Sequence, residues 1–254
     1  MADSVESSEL IEFVRRSNAF RAFADARLDK RALADELSIS PPTAYRIISS
    51  FEDADIIHRV DGKYELTPYG AVLGDAVETY EANVKTATAL KPILNELPDC
   101  IEFDHRLFAD ATVTNATYDD PFKPMNRFIE LFSEADRIKG FNRSFLEPMY
   151  IELAIEKLDA GMESEIIYDP NVIDLILQEY PDVATMALEA ENMRAYTYDE
   201  LPLALVVLED RIGIGAHSES MGTPVSWIDT DDPDAIAWGE RLFEKYRNKA
   251  TRLY

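Results

Sequence analysis

Residues 29–64 contain two helix starts and one hairpin turn, and this combination constrains the fold more than any other feature of the sequence. Asp29 and Ser40 are residue types that favour the position just before a helix. Pro41 follows Ser40 and suits the first helical position, where the missing N–H costs nothing. Asp61-Gly62 favours a two-residue type I′ turn and stands between two strand-like segments. The segment therefore predicts two short helices and a β-hairpin.

The surrounding residues complete a three-helix unit. An apolar spacing near 3.6 residues predicts a first helix over 9–25, before a second over 30–37 and a third that begins at Pro41. In the third helix the apolar positions fall at i, i+3, i+4 and i+7, namely Ala44, Ile47, Ile48 and Phe51. Strands over 55–60 and 63–67 flank the hairpin turn. Three helices and a hairpin predict a winged helix-turn-helix over residues 1–70.

The strings Leu33 to Leu37 (Leu-Ala-Asp-Glu-Leu), Tyr45-Arg46 and Tyr64 to Gly70 (Tyr-Glu-Leu-Thr-Pro-Tyr-Gly) resemble archaeal and bacterial winged-helix regulators. The resemblance covers residues 8–70 and implies a domain that binds double-stranded DNA. A third helix of this kind enters the major groove, while the hairpin and helix starts contact the backbone. The predicted DNA-contact residues are Lys30, Arg31, Ser40, Thr43, Tyr45, Arg46, Ser49, Arg59 and Lys63. Winged helices also serve as protein docking modules, so an adaptor of the transcription machinery that does not read DNA sequence is the alternative.

The charge of the chain is strongly negative and unevenly distributed. Its 25 basic and 49 acidic side chains give a net charge of −24, and arginine outnumbers lysine by 16 to 9. This composition is typical of a halophilic archaeon, with an acidic mesophilic protein as the alternative. At molar salt the Debye length is about 3 Å, so acidity does not exclude DNA binding. Residues 1–70 carry 9 basic and 13 acidic side chains, a net charge of −4, against −20 for the rest, which places a nucleic-acid contact in the first third.

Residues 71–97 predict a connecting helix. Its apolar stripe comprises Leu73, Val77, Tyr80, Val84, Ala87 and Leu94. The stripe could form the seam of a homodimer, or it could pack against its own molecule. Dimerisation would also give a functional advantage, because two recognition helices on a two-fold site contact twice as many base pairs. Leu97-Pro98-Asp99 marks the predicted domain boundary.

Residues 98–254 alternate between strand-like and helix-like segments, which predicts an α/β domain with a mixed sheet. A strand is expected over 101–106 and a closing helix over 233–253. The strings 135–140 (Ala-Asp-Arg-Ile-Lys-Gly), 158–162 (Leu-Asp-Ala-Gly-Met) and 234–247, with its Trp-Gly-Glu and Tyr-Arg, resemble the sensor-type domain of methanogenesis and filament-forming archaeal regulators. That resemblance implies a domain that binds an effector or mediates assembly. Sugar-sensing archaeal regulators with phospholipase-like domains are a more distant comparison, because this chain lacks the His-x-Lys pair of a working phospholipase.

An effector pocket is expected near strand ends of this domain, where aromatic side chains and a few polar groups converge. The predicted effector-binding residues are Phe141, Asn142, Arg143, Tyr150, Tyr168, Arg194, His217 and Trp227. Arg143 would suit a phosphate or carboxylate ligand, since a guanidinium is planar and permanently charged. The alternatives are a surface ion pair for Arg143 and core positions for Tyr150, Tyr168 and Trp227.

No residue pattern points to catalysis, a metal or a cofactor. The three histidines are scattered, Cys100 is the only cysteine, and the Gly-Lys-Ser/Thr and Gly-x-Ser-x-Gly strings are absent. The acidic start lacks the pattern of a signal peptide, and no apolar run reaches the roughly 18 residues that cross a bilayer. We therefore expect a cytoplasmic protein that is not an enzyme, an enzyme being the third hypothesis.

Overall fold

The computed structural model describes residues 7–142, 148–217 and 224–253. The chain divides into two compact units, Met1–Lys85 and Thr86–Tyr254. The division therefore falls inside the segment 71–97 that the sequence assigns to a connecting helix.

The first unit consists of helices and one hairpin. Its helices are α1 (Ser7–Arg15), α2 (Ser17–Asp25), α3 (Lys30–Glu36), α4 (Pro41–Asp53) and α5 (Pro68–Ala89), whose last residues belong to the second unit. Strands β1 (Ile57–Val60) and β2 (Lys63–Leu66) form the hairpin. Their core is built from the inward faces of all these elements and centres on Phe20, Leu33, Ile48, Phe51 and Ile56.

The predicted helix starts and turn are present. The Asp29 carboxylate accepts from the backbone N–H groups of Arg31 and Ala32, both at 2.9 Å, and Ser40 Oγ accepts from Thr43 N at 3.4 Å. Asp61 and Gly62 have φ of 50° and 83°, the left-handed values that a type I′ turn requires. Leu28 forms an antiparallel backbone bridge with Tyr64 of β2, which ties the hairpin to the segment before α3.

The single predicted helix over 9–25 is wrong, because the chain leaves helical geometry at Arg16. This residue has φ −110° and ψ 18°, and it ends α1 before α2 begins at Ser17. The break lets Phe13 of α1 and Phe20 of α2 meet edge to face, with ring centroids 6.3 Å apart. Both rings are buried in one core. On a straight helix these two positions would share a face but lie about two turns, roughly 10 Å, apart along the axis.

The second unit combines one large sheet with helices. Its helices are α6 (Lys91–Leu94), α7 (Lys123–Glu134), α8 (Pro148–Asp159), α9 (Pro170–Glu179), α10 (Pro181–Glu189) and α11 (Pro233–Arg247). Its strands are β3 (Thr112–Asn115), β4 (Arg137–Asn142), β5 (Glu163–Tyr168), β6 (Met193–Thr197), β7 (Ala204–Val207), β8 (Ile212–His217), β9 (Pro224–Thr230) and β10 (Thr251–Arg252). A 3-10 turn covers His105–Phe108.

The sheet is mixed, as the alternating pattern predicts. The strand order is β10-β6-β5-β4-β7-β8-β9-β3, in which β4, β5 and β6 run parallel and the remaining neighbours pair antiparallel. One face is covered by α6, α11 and the 3-10 turn, through Phe141, Leu205 and Phe243 among others. The opposite face is covered by α7 and α8, which enclose Ile138 and Trp227. Alternate residues of each strand therefore supply two separate apolar layers.

Three local predictions in this unit are wrong. Residues 101–106 contain no strand and lead into the 3-10 turn, where the Asp104 carboxylate accepts from the backbone N–H of Arg106 and from its guanidinium. The closing helix ends at Arg247, after which the chain turns back to pair β10 with β6. The edge strands β3 and β10 are additional elements that the pattern did not predict. Across the described residues, no helix is long and apolar enough to cross a membrane.

Candidate functional site

Helix α4 presents one buried and one exposed side. Ala44, Ile47, Ile48 and Phe51 are buried. Tyr45 and Arg46 point outward, with Tyr45 54% exposed, while Thr43 and Ser49 are half-buried. The hydroxyls of Ser40 and Thr43 lie 2.8 Å apart, and Arg46 donates to Thr43 Oγ1 at 3.5 Å. The start of α4 thus carries hydroxyls, a phenol and a guanidinium on one accessible surface.

The basic entry of α3 adjoins this surface. The Lys30 ammonium lies 4.4 Å from the centroid of the Tyr45 ring, a cation–π contact that brings α3 and α4 side chains together. Arg31 is exposed beside it. Bonds from the backbone of Ala32 and Arg31 lower the pKa of the Asp29 carboxyl, and the charges of Lys63 and Arg31 add to this effect. Asp29 is therefore an anion held within the helix start.

The hairpin supplies the remaining predicted contacts. Arg59 of β1 and Lys63 of β2 are exposed on either side of the Asp61-Gly62 turn. The Glu65 carboxylate of β2 is engaged, since Arg27 and His58 both contact it. In this unit the structure brings Lys30 to Tyr45 and Ser40 to Thr43 to Arg46. The Lys30–Tyr45 contact has no signal in sequence spacing, because the residues belong to different helices.

A second candidate site is a cavity of about 80 Å³ on the sheet face that α7 and α8 cover. It lies where the parallel strands β4 and β5 end, which is the edge at which the sequence predicts a pocket. Five of the predicted effector residues line it, namely Phe141, Tyr150, Tyr168, His217 and Trp227. Arg194 does not join them and lies in a polar groove with Arg137 and Glu165. Arg143 and the side chain of Asn142 lie outside the described residues.

Aromatic rings form one wall of this cavity. Phe128 of α7 has its centroid 5.1 Å from the Tyr150 ring and 5.2 Å from the Trp227 ring. Burial raises the pKa of Tyr150, and the neighbouring Tyr168 raises it further, so the phenol stays neutral. The indole N–H of Trp227 is buried and has no hydrogen-bond partner among the residues the structure describes.

Two glycines of β8, Gly213 and Gly215, lie against the ring of Trp227. A side chain on Gly213 would collide with the six-membered part of the indole ring, so this ring lies directly on the strand. A Cβ on Gly215 would lie 3.6 Å from the ring and 3.4 Å from Ala204 Cβ, in ordinary contact distance. Glycine at 213 is therefore required by close approach.

The sequence prediction missed several lining residues. They are Met125, Phe128, Ile138, Ile166, Ala204 and Val206. Their signal is the period-two alternation of β4, β5 and β7, which places 138, 166, 204 and 206 on one face, together with the apolar stripe of α7. All of them except Phe128 are aliphatic or methionine side chains, which a selection of polar and aromatic residues leaves out.

A buried ion cluster stands near this site. Asp229 of β9 is completely buried, and its carboxylate accepts from Arg127 at 2.9 and 3.0 Å and from Arg211 at 3.0 Å. The bond to Asp229 raises the pKa of the Arg127 guanidinium. The cluster joins α7, β9 and the loop before β8, and so fixes the helix that carries Phe128. Within the described ranges, no group of three or more His, Cys, Asp or Glu side chains could hold a metal ion.

The first unit also exposes an apolar groove between α1 and α5, which we term the α1/α5 face. Leu10, Ile11 and Tyr80 are each more than half exposed there, and Leu73 and Val77 form its floor. Leu73 and Val77 also pack on the core of their own unit. The predicted stripe of the connecting helix is thus divided, and Tyr80 and Val84 remain exposed.

Comparisons with known proteins agree with a two-part chain. Residues 5–89 match the HVO_A0261 N-terminal domain, and residues 121–249 match the middle domain of the methanogenesis regulatory protein FilR1. No curated protein matches the chain.

Solved structures resemble the chain at low identity. TrmBL2, described as an archaeal chromatin protein with a novel mode of DNA binding, is 15% identical, with 98% of this chain and 96% of that chain covered and a TM-score of 0.47. NucT from Helicobacter pylori is 14% identical over 56% of this chain and 98% of its own, with a TM-score of 0.47. Nuc from Salmonella typhimurium, of the phospholipase D family, is 10% identical over 56% and 97%, with a TM-score of 0.43.

The FilR1 match spans half of the chain and takes in α7 to α11 and all sheet strands from β4 to β9. The chain therefore belongs to the family defined by the middle domain of the methanogenesis regulatory protein FilR1.

Proposed function

We propose that this protein is a DNA-binding transcription regulator of a halophilic archaeon, that it acts as a homodimer, and that its second unit binds an effector. In this proposal α3, α4 and the β1–β2 hairpin form a winged helix-turn-helix. Its role is regulatory and not enzymatic. Membership of a family of regulatory proteins supports the first part of the proposal.

The exposed side of α4 is the observation that carries it. The apolar stripe of α4 packs in the core of its own unit, so the stability of the helix does not depend on Tyr45 and Arg46. Both side chains are exposed and are available for contact with another molecule. An exposed α-helix fits the major groove, where a guanidinium donates to both acceptors of guanine. Arg46 is the residue with this chemistry on α4.

The other basic residues suit the phosphate backbone. Lys30 and Arg31 stand at the start of α3, and Arg59 and Lys63 flank the hairpin turn. Contacts of this kind set position and give affinity without sequence selectivity. Ser40, Thr43 and Ser49 add hydroxyl donors along α4.

The α1/α5 face supports a dimer of two copies. Among the described residues that line the groove, Arg15 is the one that is charged, and Val84 continues the apolar surface one turn beyond Tyr80. A second copy brings the same uncharged surface, whereas most of the remaining surface of this acidic chain does not match it. Two copies would also present two α4 helices to a two-fold DNA site.

Loss of the Arg46 side chain tests the DNA-reading role. In molar potassium chloride, with duplex DNA from the region upstream of the protein's own gene, Arg46→Ala should weaken binding by about 1–3 kcal/mol in fluorescence anisotropy. Arg21→Ala is the matched control, because it removes the same charge from the same unit at an exposed residue that pairs with Glu81. The control should bind nearly as the parent does.

Two outcomes contradict the proposal. Equal losses for both variants would assign Arg46 a charge effect alone. Parent affinity no greater for the upstream DNA than for a shuffled duplex would favour the adaptor, in which α4 contacts protein.

A further inference from the structure

The described lining of the cavity under α7 and α8 is almost free of ionisable groups. Apart from His217, it consists of apolar and aromatic side chains, glycine and proline, with two tyrosines. Against these residues an ionised ligand would lose its hydration without a paired charge, which is strongly unfavourable. The net charge of −24 further disfavours an anion. The described part of the cavity therefore favours an uncharged molecule.

The shape of the cavity favours a flat ring. Trp227 lies against β8, and Gly215 opens the space at its edge toward Ala204. Phe128 and Tyr150 are tilted by 40° and have centroids 5.1 Å apart, so ring faces and edges both border the space. Aromatic groups gain most from offset or edge-to-face contacts of this kind. A volume of about 80 Å³ exceeds the roughly 10–15 Å³ that one water needs in such a measure.

Tyr150 gives the cavity a polar group. It lines the cavity, and burial raises the pKa of its phenol, so the hydroxyl keeps its proton and can donate. The indole N–H of Trp227 is fully buried at the Gly213 end of the ring and is closed to a ligand. A ligand with a carbonyl-type oxygen would accept a hydrogen bond from the Tyr150 hydroxyl.

We propose that this cavity binds an uncharged, flat aromatic molecule that carries a hydrogen-bond acceptor. The inference rests on the proposed effector role of the second unit and specifies its ligand class. It differs from a phosphate or carboxylate ligand, which the sequence associates with Arg143.

Tryptophan fluorescence allows a direct test on the full chain. The two tryptophans lie on opposite faces of the sheet, and Trp238 donates its N–H to Glu102 O at 2.9 Å, away from the cavity. A Trp238→Phe protein therefore reports on Trp227 alone, and calorimetry on the unaltered protein checks the affinities. The probes are benzamide, toluene and benzoate, which share a ring and differ in acceptor and charge. Benzamide should bind at least tenfold more tightly than benzoate and several-fold more tightly than toluene.

Two matched substitutions locate the binding. Ala204→Leu places a larger side chain in the cavity and should reduce benzamide affinity at least tenfold. Ala187→Leu makes the same change in the neighbouring apolar cavity of about 110 Å³ between α8, α9 and α10. The two cavities share Tyr150 and Tyr168, but Ala187 lines only the second, so this variant should leave affinity within twofold. Circular dichroism confirms that both variants fold.

Three results would overturn the proposal: benzoate binding as tightly as benzamide, no benzamide binding at millimolar concentration, or loss of binding in Ala187→Leu but not in Ala204→Leu. Binding is measured without DNA, so failure here leaves the Arg46 test untouched. An unaltered Arg46→Ala affinity for DNA would in turn leave the ligand result standing.

Discussion

The carboxylate of Asp229 is fully buried, and three N–H groups of two arginines donate to it. Both arginines also face a second carboxylate: Arg127 donates to Glu130 at 2.8 Å, and Arg211 lies 3.5 Å from Asp231. The buried charge is therefore fully paired, which makes its loss costly. This cluster also holds α7 at the cavity.

Asp229→Asn should lower the free energy of unfolding by about 3 kcal/mol. The amide lacks the negative charge that pairs with the two arginines, and its N–H₂ would face their guanidinium donors. Asp231→Asn is the control, since Asp231 is 76% exposed and lies 3.5 Å from the same Arg211. Its effect should stay within about 0.5 kcal/mol. Urea unfolding in molar salt measures both. Similar midpoints for the two variants would contradict a structural role for the cluster.

Individual site residues were predictable to different degrees. Tyr45 and Arg46 follow from helical periodicity alone, because the buried stripe of α4 fixes which residues point outward. Tyr150 and Trp227 were selected for their chemistry and line the cavity, whereas Arg194 was selected for its charge and lies elsewhere. The position of Arg194 depends on its pairing with Glu165 across two parallel strands, and local sequence does not encode that register.

At the scale of elements, α5 begins where it touches the hairpin closely. Thr67 Oγ1 accepts from Gly70 N at 2.9 Å, and the Thr67 hydroxyl donates to the Asp55 carbonyl at 2.7 Å. A side chain on Gly70 would collide with the backbone carbonyl of Ile56. A backbone carbonyl cannot move aside as the end of a side chain can. The contact between Gly70 and the Ile56 carbonyl therefore fixes how α5 packs against the chain just before β1.

Gly70→Ala should therefore destabilise the first unit by about 2 kcal/mol or more, although alanine favours helix by about 1 kcal/mol. Gly74→Ala makes the same change one turn later, where the new Cβ would lie 3.3 Å from the ring of Phe20, a tight contact that a small shift of this side chain relieves. That variant should match or slightly exceed the parent in thermal unfolding. Equal losses in both would show that helix geometry, and not the Ile56 carbonyl, sets the cost.

Elements with strong local signals were predicted well. The strand Glu163–Tyr168 and the starts of α3, α4 and α11 follow from alternation and capping residues. The break at Arg16 did not, because Phe13 and Phe20 fall on one face of a continuous helix as well, so the apolar spacing carries no sign of it. Strands β3 and β10 are 4 and 2 residues long and exist through pairing with distant strands, so their local sequence carries little signal.

At the scale of the whole molecule, the α1/α5 face is the proposed interface between two copies of the chain. Tyr80→Glu should convert the proposed dimer to a monomer in sedimentation equilibrium at molar salt, because a carboxylate would be buried against a second copy. Tyr118→Glu is the control, since Tyr118 is fully exposed in the other unit. A parent protein that is monomeric at the concentrations used for DNA binding would contradict the proposal.

The net charge of −24 should govern how salt affects DNA affinity. Most DNA-binding proteins lose affinity steeply as salt rises, because they release counterions. Here cations must be retained between carboxylates and phosphates, so the slope of affinity against salt should be flat or inverted. Anisotropy from 0.2 to about 3 M potassium chloride, with a shuffled duplex as control, measures it. A steep conventional loss would count against DNA binding in a salt-rich cell.

The indole of Trp227 lies so close to Gly213 that the residues at these two positions cannot be changed independently. A side chain can replace Gly213 only after residue 227 has become smaller than tryptophan. A chain that keeps Trp227 must keep glycine at 213. Substitutions at 213 and 227 should therefore be coupled across descendants of this gene, with the order of events fixed: the ring is lost before the strand gains a side chain.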